Sequence, residues 1–349
     1  MTTYRVTARF SDGEERSFSV SEDETLLHAA LAEDVNLIHQ CQAGSCSSCI
    51  CQTVEGRLEM DTGTSIALLP REVAEGKVLS CLTRVRSDAV VEFPYESALL
   101  DRAGSQQYLA EVTGCDRLSE TAFELRVRLD LVDEGMAPGF QPGAYFLIKV
   151  PGTEESRPYS IASIPSDLPE MRFLIRYLPG GVMSGYLAET CQTGDFVEIE
   201  GPYGDFILRE TTKPLVMVAG GTGLAPIISM LDSLREARRH RAGISVYFGV
   251  RTYGDLFYLE ELGLRREMMP RLDYHIIVEQ ADPRWSGPVG RVTDLLSETQ
   301  LDEGTTCYLC GPPGMIAAAT ERLIAAGLPT ESIFYERFTP AASLAHSTI

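Results

Sequence analysis

Three cysteines crowded into one short loop constrain this chain more than any other feature. Cys41-Gln-Ala-Gly-Ser-Cys46-Ser-Ser-Cys49 spaces them C-x4-C-x2-C, and Cys81 follows after a long interval. This is the plant-type spacing for a [2Fe-2S] cluster. Two irons need four thiolates that converge on one small site. A tight loop supplies three from one side, and a distant segment must bring the fourth. Gly44 and the small residues Ser45, Ser47 and Ser48 let the backbone wrap the cluster and aim N–H groups at sulfur, which tunes the reduction potential. A zinc site would rather show two C-x2-C pairs or Cys/His pairs. A Rieske centre needs two histidine ligands, and His39 is the only histidine near the loop. The metal ligands read from the sequence are therefore Cys41, Cys46, Cys49 and Cys81. Cys51, Cys115, Cys191 and Cys307 read most simply as packed small residues.

Around that loop, residues 1–98 alternate like a small sheet. Tyr4 to Phe10 and Ser17 to Val20 flank Asp12-Gly13, the sign of a hairpin. Ser21-Glu-Asp-Glu24 is a capping signal before the short helix Leu26 to Leu31. Ile50 to Val54 is a strand, and Val78-Leu-Ser-Cys81 carries the fourth cysteine at the opening of another. Residues 99–106 read as a short linker, which keeps its neighbours at high effective concentration.

Residues 107–209 read as strands throughout, with one helical piece near Met183–Cys191. That pattern predicts a small antiparallel barrel. Pro179-Gly-Gly181-Val182-Met183-Ser184 predicts a phosphate seat, made of backbone N–H groups at the start of a helix. Gly201-Pro-Tyr-Gly204-Asp-Phe206 closes the segment; a plain glycine-rich turn is its simpler reading.

Residues 213–338 switch to strand–helix alternation, which predicts a parallel sheet with helices on both faces. The first strand, Leu215 to Ala219, runs into Gly220-Gly221-Thr222-Gly223-Leu-Ala-Pro226. Gly221 and Gly223 allow a dinucleotide to approach the backbone. Pro226 stands in the first helical turn, where a missing N–H costs nothing. Cys310-Gly311-Pro312 follows the fourth strand, and Tyr335-Glu336-Arg-Phe338 follows the last. Residues 339–349 read as a polar tail.

Taken together, the motifs resemble a plant-type ferredoxin fused to a ferredoxin–NADP reductase-type flavoprotein. The whole chain to about residue 338 resembles the reductase component of benzoate dioxygenase-type aromatic-ring-hydroxylating dioxygenases. The resemblance implies a multidomain α+β and α/β chain. Its parts would be a β-grasp ferredoxin, a six-stranded antiparallel flavin-binding β-barrel and a Rossmann-like nucleotide-binding domain. It implies FAD held by Arg157-Pro-Tyr159-Ser160, with Arg157 on the pyrophosphate, Tyr159 on the isoalloxazine and Ser160 near flavin N5. The residue chemistry is apt, since a diphosphate takes a guanidinium fork and a flat ring takes an aromatic neighbour. The phosphate seat would comprise Gly181, Val182, Met183 and Ser184. Gly221, Thr222, Gly223 and Pro226 would hold the dinucleotide, with Cys310, Gly311 and Pro312 beside the nicotinamide. Glu336 would sit within hydrogen-bond reach of Ser160, and Phe338 would cover the flavin; core filling is the plainer role for that chain end. Ser160, Cys310, Glu336 and Phe338 are thus the implied catalytic group.

For the nucleotide, Glu279 follows the third strand where NADPH-using relatives place a Ser-Arg pair. A carboxylate there repels a 2′-phosphate and accepts bonds from ribose hydroxyls, which favours NADH. Arg251 is the counter-argument. The net charge of −20 argues against nucleic acid and anionic membranes as partners. Residues 1–98 hold 16 acidic and 8 basic residues, a face suited to docking on a basic partner. The nine cysteines and an N-terminus without a signal pattern suggest a reducing, cytoplasmic setting. The expected partner is a Rieske-type terminal oxygenase. Two alternatives stay open: a diiron monooxygenase as partner, or a non-catalytic electron carrier with a vestigial nucleotide site.

Overall fold

The computed structural model describes residues 2–39, 44, 48–61, 68, 70–97, 100, 106–131, 137–238, 240–296, 301–302 and 304–338. The chain divides into two compact units: Met1–Gly104 with Arg337–Ile349, and Ser105–Glu336. Among the described residues, no helix is long and apolar enough to cross a membrane.

The first unit is built on a mixed sheet. Its strands are β1 (Thr3–Arg9), β2 (Glu15–Ser21), β3 (Ile50–Glu55), β5 (Lys77–Leu79) and β7 (Ala89–Glu92), in the order β2-β1-β7-β3-β5. β4 (Leu58–Met60) and β6 (Thr83–Val85) form a separate pair. β1 pairs antiparallel with β2 but parallel with β7, the mark of a β-grasp. The β1–β2 hairpin turns at Gly13, whose positive φ of 84° suits only a residue without a Cβ strain. Helix α1 (Leu26–Ala32) buries Leu26, Leu27, Ala29 and Ala30 against this sheet. Its cap is Thr25, whose hydroxyl accepts from His28 N, and not Ser21 as the sequence suggested. Ser21 still closes β2, and its N–H donates to Glu24. Phe10, Phe93 and Tyr95 cluster at 5.4–5.8 Å between ring centres. The Tyr95 hydroxyl accepts from Ile38 N at 3.1 Å, which pins the chain just ahead of the cysteine loop.

Strands β8 (Gln106–Arg117), β9 (Ala122–Leu129), β10 (Tyr145–Lys149), β11 (Ser156–Ser160), β12 (Glu170–Arg176) and β13 (Phe196–Tyr203) form the six-stranded antiparallel sheet. The order is β11-β10-β13-β8-β9-β12. Just past β11, Ile161 bridges Phe173 on β12 and Ala162 N donates to Arg172 O at 2.7 Å, so the sheet closes on itself. Inward residues alternate along each strand, and Phe146, Ile148, Leu125, Val127 and Phe173 are fully buried at the centre.

The same unit carries a parallel sheet. Its strands are β14 (Leu215–Gly220), β15 (Ile244–Val250), β16 (Leu272–Val278), β17 (Thr306–Gly311) and β18 (Ile333–Arg337), in the order β16-β15-β14-β17-β18. β14 is apolar and buried from Leu215 to Ala219, because helices cover both faces of such a sheet. The strand order reverses beside β14, so the carboxyl ends of β14 and β17 open a crevice there. Polar contacts tie this sheet to the barrel. Ser229 Oγ donates to Ser163 O at 2.7 Å, and Thr121 Oγ1 donates to Asp255 at 2.7 Å. Asp232 is buried and takes both guanidinium nitrogens of Arg265 at 3.0 and 2.7 Å, with Arg172 of β12 at 3.8 Å.

Gly143, just before β10, has φ +101°, and a Cβ there would overlap the Phe206 carbonyl oxygen. Backbone cannot yield as a flexible side chain can. Gly143→Ala is expected to cost the Ser105–Glu336 unit on the order of 2 kcal/mol or more. Urea unfolding followed by tyrosine fluorescence checks this, and an unchanged midpoint would refute it.

Candidate functional site

Three segments far apart in sequence meet at one carboxylate. Glu336, on β18, accepts a hydrogen bond from Ser160 Oγ at 2.7 Å. Cys310 Sγ, at the end of β17, lies 4.0 Å from the same Glu336 oxygen. Ser160 and Cys310 are buried. Glu336 keeps part of its surface open, yet protein surrounds it densely. That burial pushes its carboxyl up from 4.5 to about 7, against the lowering effect of the Ser160 bond, and the negative charge of Asp205 adds to the rise. The Cys310 thiol is pushed well up by burial, with Glu336 contributing. At neutral pH that shift favours the protonated, uncharged thiol. Phe338 is half-buried and falls in the other compact unit.

The residues expected to hold a flavin line β11 and the loop after β12. Tyr159 packs against the barrel core while staying partly accessible. Tyr145 and Tyr203 stack nearby on the paired strands β10 and β13, at 5.6 Å and 18°. Arg157 bonds the carboxylate of its neighbour Glu155, a partner the sequence reading did not anticipate. Helix α1 aside, the short helix Val182–Gly185 starts at Gly181, with Gly180 at φ +76° before it. Open space surrounds Gly180 and Gly185, and a Cβ on Gly181 would press on Leu178 O at 3.1 Å. Val182 is exposed, whereas Met183 and Ser184 turn inward. Ser184 Oγ accepts from Leu178 N at 2.8 Å and so shapes the loop from within. The glycines and the backbone, not the serine hydroxyl, form the part of this seat open to a diphosphate, and they fit one.

At the switch point, β14 ends in the tight turn Gly221–Gly223 before helix Leu224–Ala237. Gly221 has φ +55° with open space around it. A Cβ on Gly223 would overlap the Cys310 carbonyl, so the turn can sit against β17 only with glycine there. Thr222 and Pro226 are buried under the turn. Gly311, at φ +152°, lies against Gly220, and Pro312 caps the helix that follows. The turn and Cys310-Gly311-Pro312 are thus brought together. Glu279 lies at the end of β16, exposed, with Arg291 at 3.9 Å. Gln280 N donates to Arg251 O at 3.0 Å, so Glu279 and Arg251 sit on adjacent strand ends.

In the first unit, Cys49 and Cys81 are buried with their sulfurs 3.3 Å apart. Cys81 lies in a one-turn helix, Ser80–Leu82, between β5 and β6, and not at the opening of a strand. That turn sets its side chain against Cys49. Gly44 has φ +76°, and a Cβ there would overlap Leu82. Cys41 and Cys46 lie outside the described residues. The thiol of Cys49 is pushed well above its usual value, first by the hydrogen bond with Cys81 and then by burial. Two soft sulfurs forced together in a buried site are a donor pair for a thiophilic cation, so they fit a [2Fe-2S] cluster.

Comparison with known proteins accords with this geometry. Residues 9–86 match the 2Fe-2S iron-sulfur cluster binding domain, residues 110–207 the oxidoreductase FAD-binding domain and residues 217–321 the oxidoreductase NAD-binding domain. The chain is 37% identical over 338 residues to the anthranilate 1,2-dioxygenase electron transfer component of Acinetobacter baylyi, covering 96% of this chain and 97% of that protein. It is 34% identical over 344 residues to the toluate 1,2-dioxygenase electron transfer component of Pseudomonas putida, covering 97% and 100%. It is also 36% identical over 332 residues to the propane 2-monooxygenase reductase component of Rhodococcus jostii, covering 93% and 89%. Among solved structures, a cytochrome P450 reductase of Amycolatopsis superposes with a TM-score of 0.70 at 26% identity, covering 97% of this chain and 100% of that one.

The raised Glu336 carboxyl predicts a stability effect whose sign is fixed. Between pH 4.5 and about 7 the folded chain keeps a proton that the unfolded chain has lost. Stability therefore falls as pH rises through that window and levels off above it. Glu336→Gln should remove this slope, narrowing the pH 5 to pH 8 difference in unfolding free energy by about 2 kcal/mol. Denaturant titration of both proteins at the two pH values measures it, and parallel slopes would refute the assignment.

Proposed function

The chain belongs to the iron–sulfur flavoprotein reductases that serve oxygenases as electron-transfer components, and on that premise we propose that it delivers electrons from NADH to a Rieske-type aromatic-ring-hydroxylating dioxygenase. The observation that carries this reading is the near full-length likeness to two dioxygenase electron transfer components. The meeting of Ser160, Cys310 and Glu336 at one carboxylate supports it from the side of chemistry. FAD held at Arg157, Tyr159 and the Gly181–Ser184 seat would supply the chemistry that joins a two-electron donor to a one-electron [2Fe-2S] cluster.

The rest of the work belongs to this chain, proposed as a ferredoxin domain over 1–98, a flavin barrel over 107–209 and a nucleotide domain over 213–338. Arg157 leaves Glu155 to hold the diphosphate, which offers a doubly charged bidentate partner in place of one carboxylate. Gly181, Val182 and Met183 add backbone N–H groups, and Ser184 keeps their loop in shape. Tyr159 supports the ring. Ser160 sets its hydroxyl oxygen toward the ring edge, while its one hydroxyl hydrogen is donated to Glu336, which fixes its direction. With its carboxyl titrating near neutrality, Glu336 can hold or release a proton of its own at working pH. Cys310 walls the nicotinamide side without water. Gly221, Thr222, Gly223 and Pro226, with Gly311 and Pro312, set the dinucleotide backbone in the switch-point crevice. Phe338 is proposed as the flavin cover. Cys41, Cys46, Cys49 and Cys81 hold the cluster.

The likeness to a propane 2-monooxygenase reductase component favours one second reading, in which the partner is a monooxygenase hydroxylase. Supplying the NADH-reduced protein to a purified Rieske oxygenase and to a purified diiron hydroxylase, each with its aromatic substrate, separates the two. Product from the Rieske enzyme alone supports the proposal, and product from the diiron enzyme alone overturns it. The nucleotide preference has its own check. Glu279→Lys removes a like charge from the 2′-phosphate position, so the NADPH KM should fall about tenfold while that for NADH rises. Steady-state kinetics with a dye acceptor read this, and an unchanged ratio would remove Glu279 from the site.

A further inference from the structure

One tight turn of the barrel bonds to the loops of both candidate sites. Residues 118–121 join β8 to β9, and Leu118 N donates to Ala122 O at 2.9 Å to close them. Thr121 stands at the end of this turn. Its carbonyl accepts from Tyr177 N at 2.9 Å. Tyr177 follows β12 and opens the loop that leads to the seat of Gly181, Val182, Met183 and Ser184. The Thr121 hydroxyl goes the other way and donates to Asp255 at 2.7 Å, in the turn Tyr253–Asp255 after β15. Backbone therefore serves the flavin side, and side chain serves the nucleotide side.

The turn Tyr253–Asp255 follows the carboxyl end of β15, the neighbour of β14 in the parallel sheet. That is the side of the switch-point crevice along which a dinucleotide extends from the glycine turn. One oxygen of Asp255 closes its own turn, accepting from Thr252 N and Thr252 Oγ1, both at 2.9 Å. The other oxygen takes the Thr121 hydroxyl. Glu120 N donates to Gly254 O at 2.9 Å, and the Tyr258 hydroxyl donates to Glu124 on β9. Arg284, from the segment after β16, lies over the Tyr253 ring at 4.5 Å and bonds Asp282 at 2.7 Å. The segments that begin at Arg251 and at Glu279 thus both rest on a turn that the barrel holds.

We propose that Thr121, acting through Asp255, is a positioning residue for the nucleotide. Its hydroxyl keeps the segment after β15 in the place where the adenosine half of NADH meets it. The proposal rests on the reductase reading above and adds to it a residue of the flavin barrel that touches neither cofactor. A segment held in its binding position before the ligand arrives does not charge its ordering to the binding step. Without the hydroxyl, the Glu120 and Tyr258 contacts still attach the segment, but it is looser. Nucleotide affinity falls, and the steps after binding keep their rate.

The test compares Thr121→Val and Thr121→Ser with the natural protein, each as flavin- and cluster-loaded full chain. Calorimetric titration of the oxidised proteins with NAD+ reads affinity without turnover. Thr121→Val should bind NAD+ about fivefold more weakly. Its KM for NADH in ferricyanide reduction should rise by about the same factor while kcat stays within about twofold. Thr121→Ser, which keeps the hydroxyl, should match the natural protein in both. Flavin content, read from the visible spectrum, should be equal in all three, because the Thr121 carbonyl is retained. Should the valine methyl prevent folding, Thr121→Ala removes the hydroxyl without added bulk and carries the same expectation. A lowered urea midpoint with unchanged NAD+ affinity would mark a merely structural bond and overturn the proposal. So would equal weakening in Thr121→Ser. Either result leaves the reductase reading standing, whereas a natural protein that neither binds NAD+ nor reduces ferricyanide with NADH would overturn both.

Discussion

The hydrogen bond from Ser160 to Glu336 is the contact on which the rest of the Ser105–Glu336 unit converges. Ser160 is the last residue of a barrel strand, and Glu336 stands near the end of the last strand of the parallel sheet. Beside Glu336 lies Cys310, at the end of the strand next to β18. The contact forms only if the barrel closes, if the parallel sheet takes its order and if the two are docked in register. Docking is fixed in turn by Ser229 on Ser163, Thr121 on Asp255, Tyr258 on Glu124, and Arg172 on the Asp232–Arg265 pair. Buried polar contacts of this kind add little net stability, but breaking one partner is costly, so they select one arrangement over others.

The same geometry explains why a carboxylate is used. In water it would be ionised at neutral pH and would carry no switchable proton. Surrounded by protein and facing Asp205, it titrates near pH 7. A serine hydroxyl in front of it then has a partner that either accepts from it or shares a proton with it. Cys310 beside them contributes bulk without charge.

What was legible in the sequence were the features with local spacing. The cysteine triplet, the glycines after β14, the alternating barrel strands and Cys310-Gly311-Pro312 are each a few residues long, and their chemistry follows from that spacing. Ser160 and Glu336 were legible through resemblance, because nothing local links residues 176 positions apart. What escaped were pairings that depend on side-chain direction in the folded chain. Arg157 turns to Glu155, Ser184 turns into its own loop, and Thr25 rather than Ser21 caps α1. Asp205, which raises the Glu336 carboxyl, gave no signal beyond its place in Gly201-Pro-Tyr-Gly204-Asp205-Phe206.

The most direct test of the central claim is anaerobic stopped-flow mixing of the purified protein with NADH, and separately with NADPH, while the visible spectrum is recorded. The account predicts that the flavin bands bleach first, that the cluster bands follow, and that NADH drives both faster than NADPH. A protein that holds flavin and cluster but shows no bleaching with either nucleotide would contradict it.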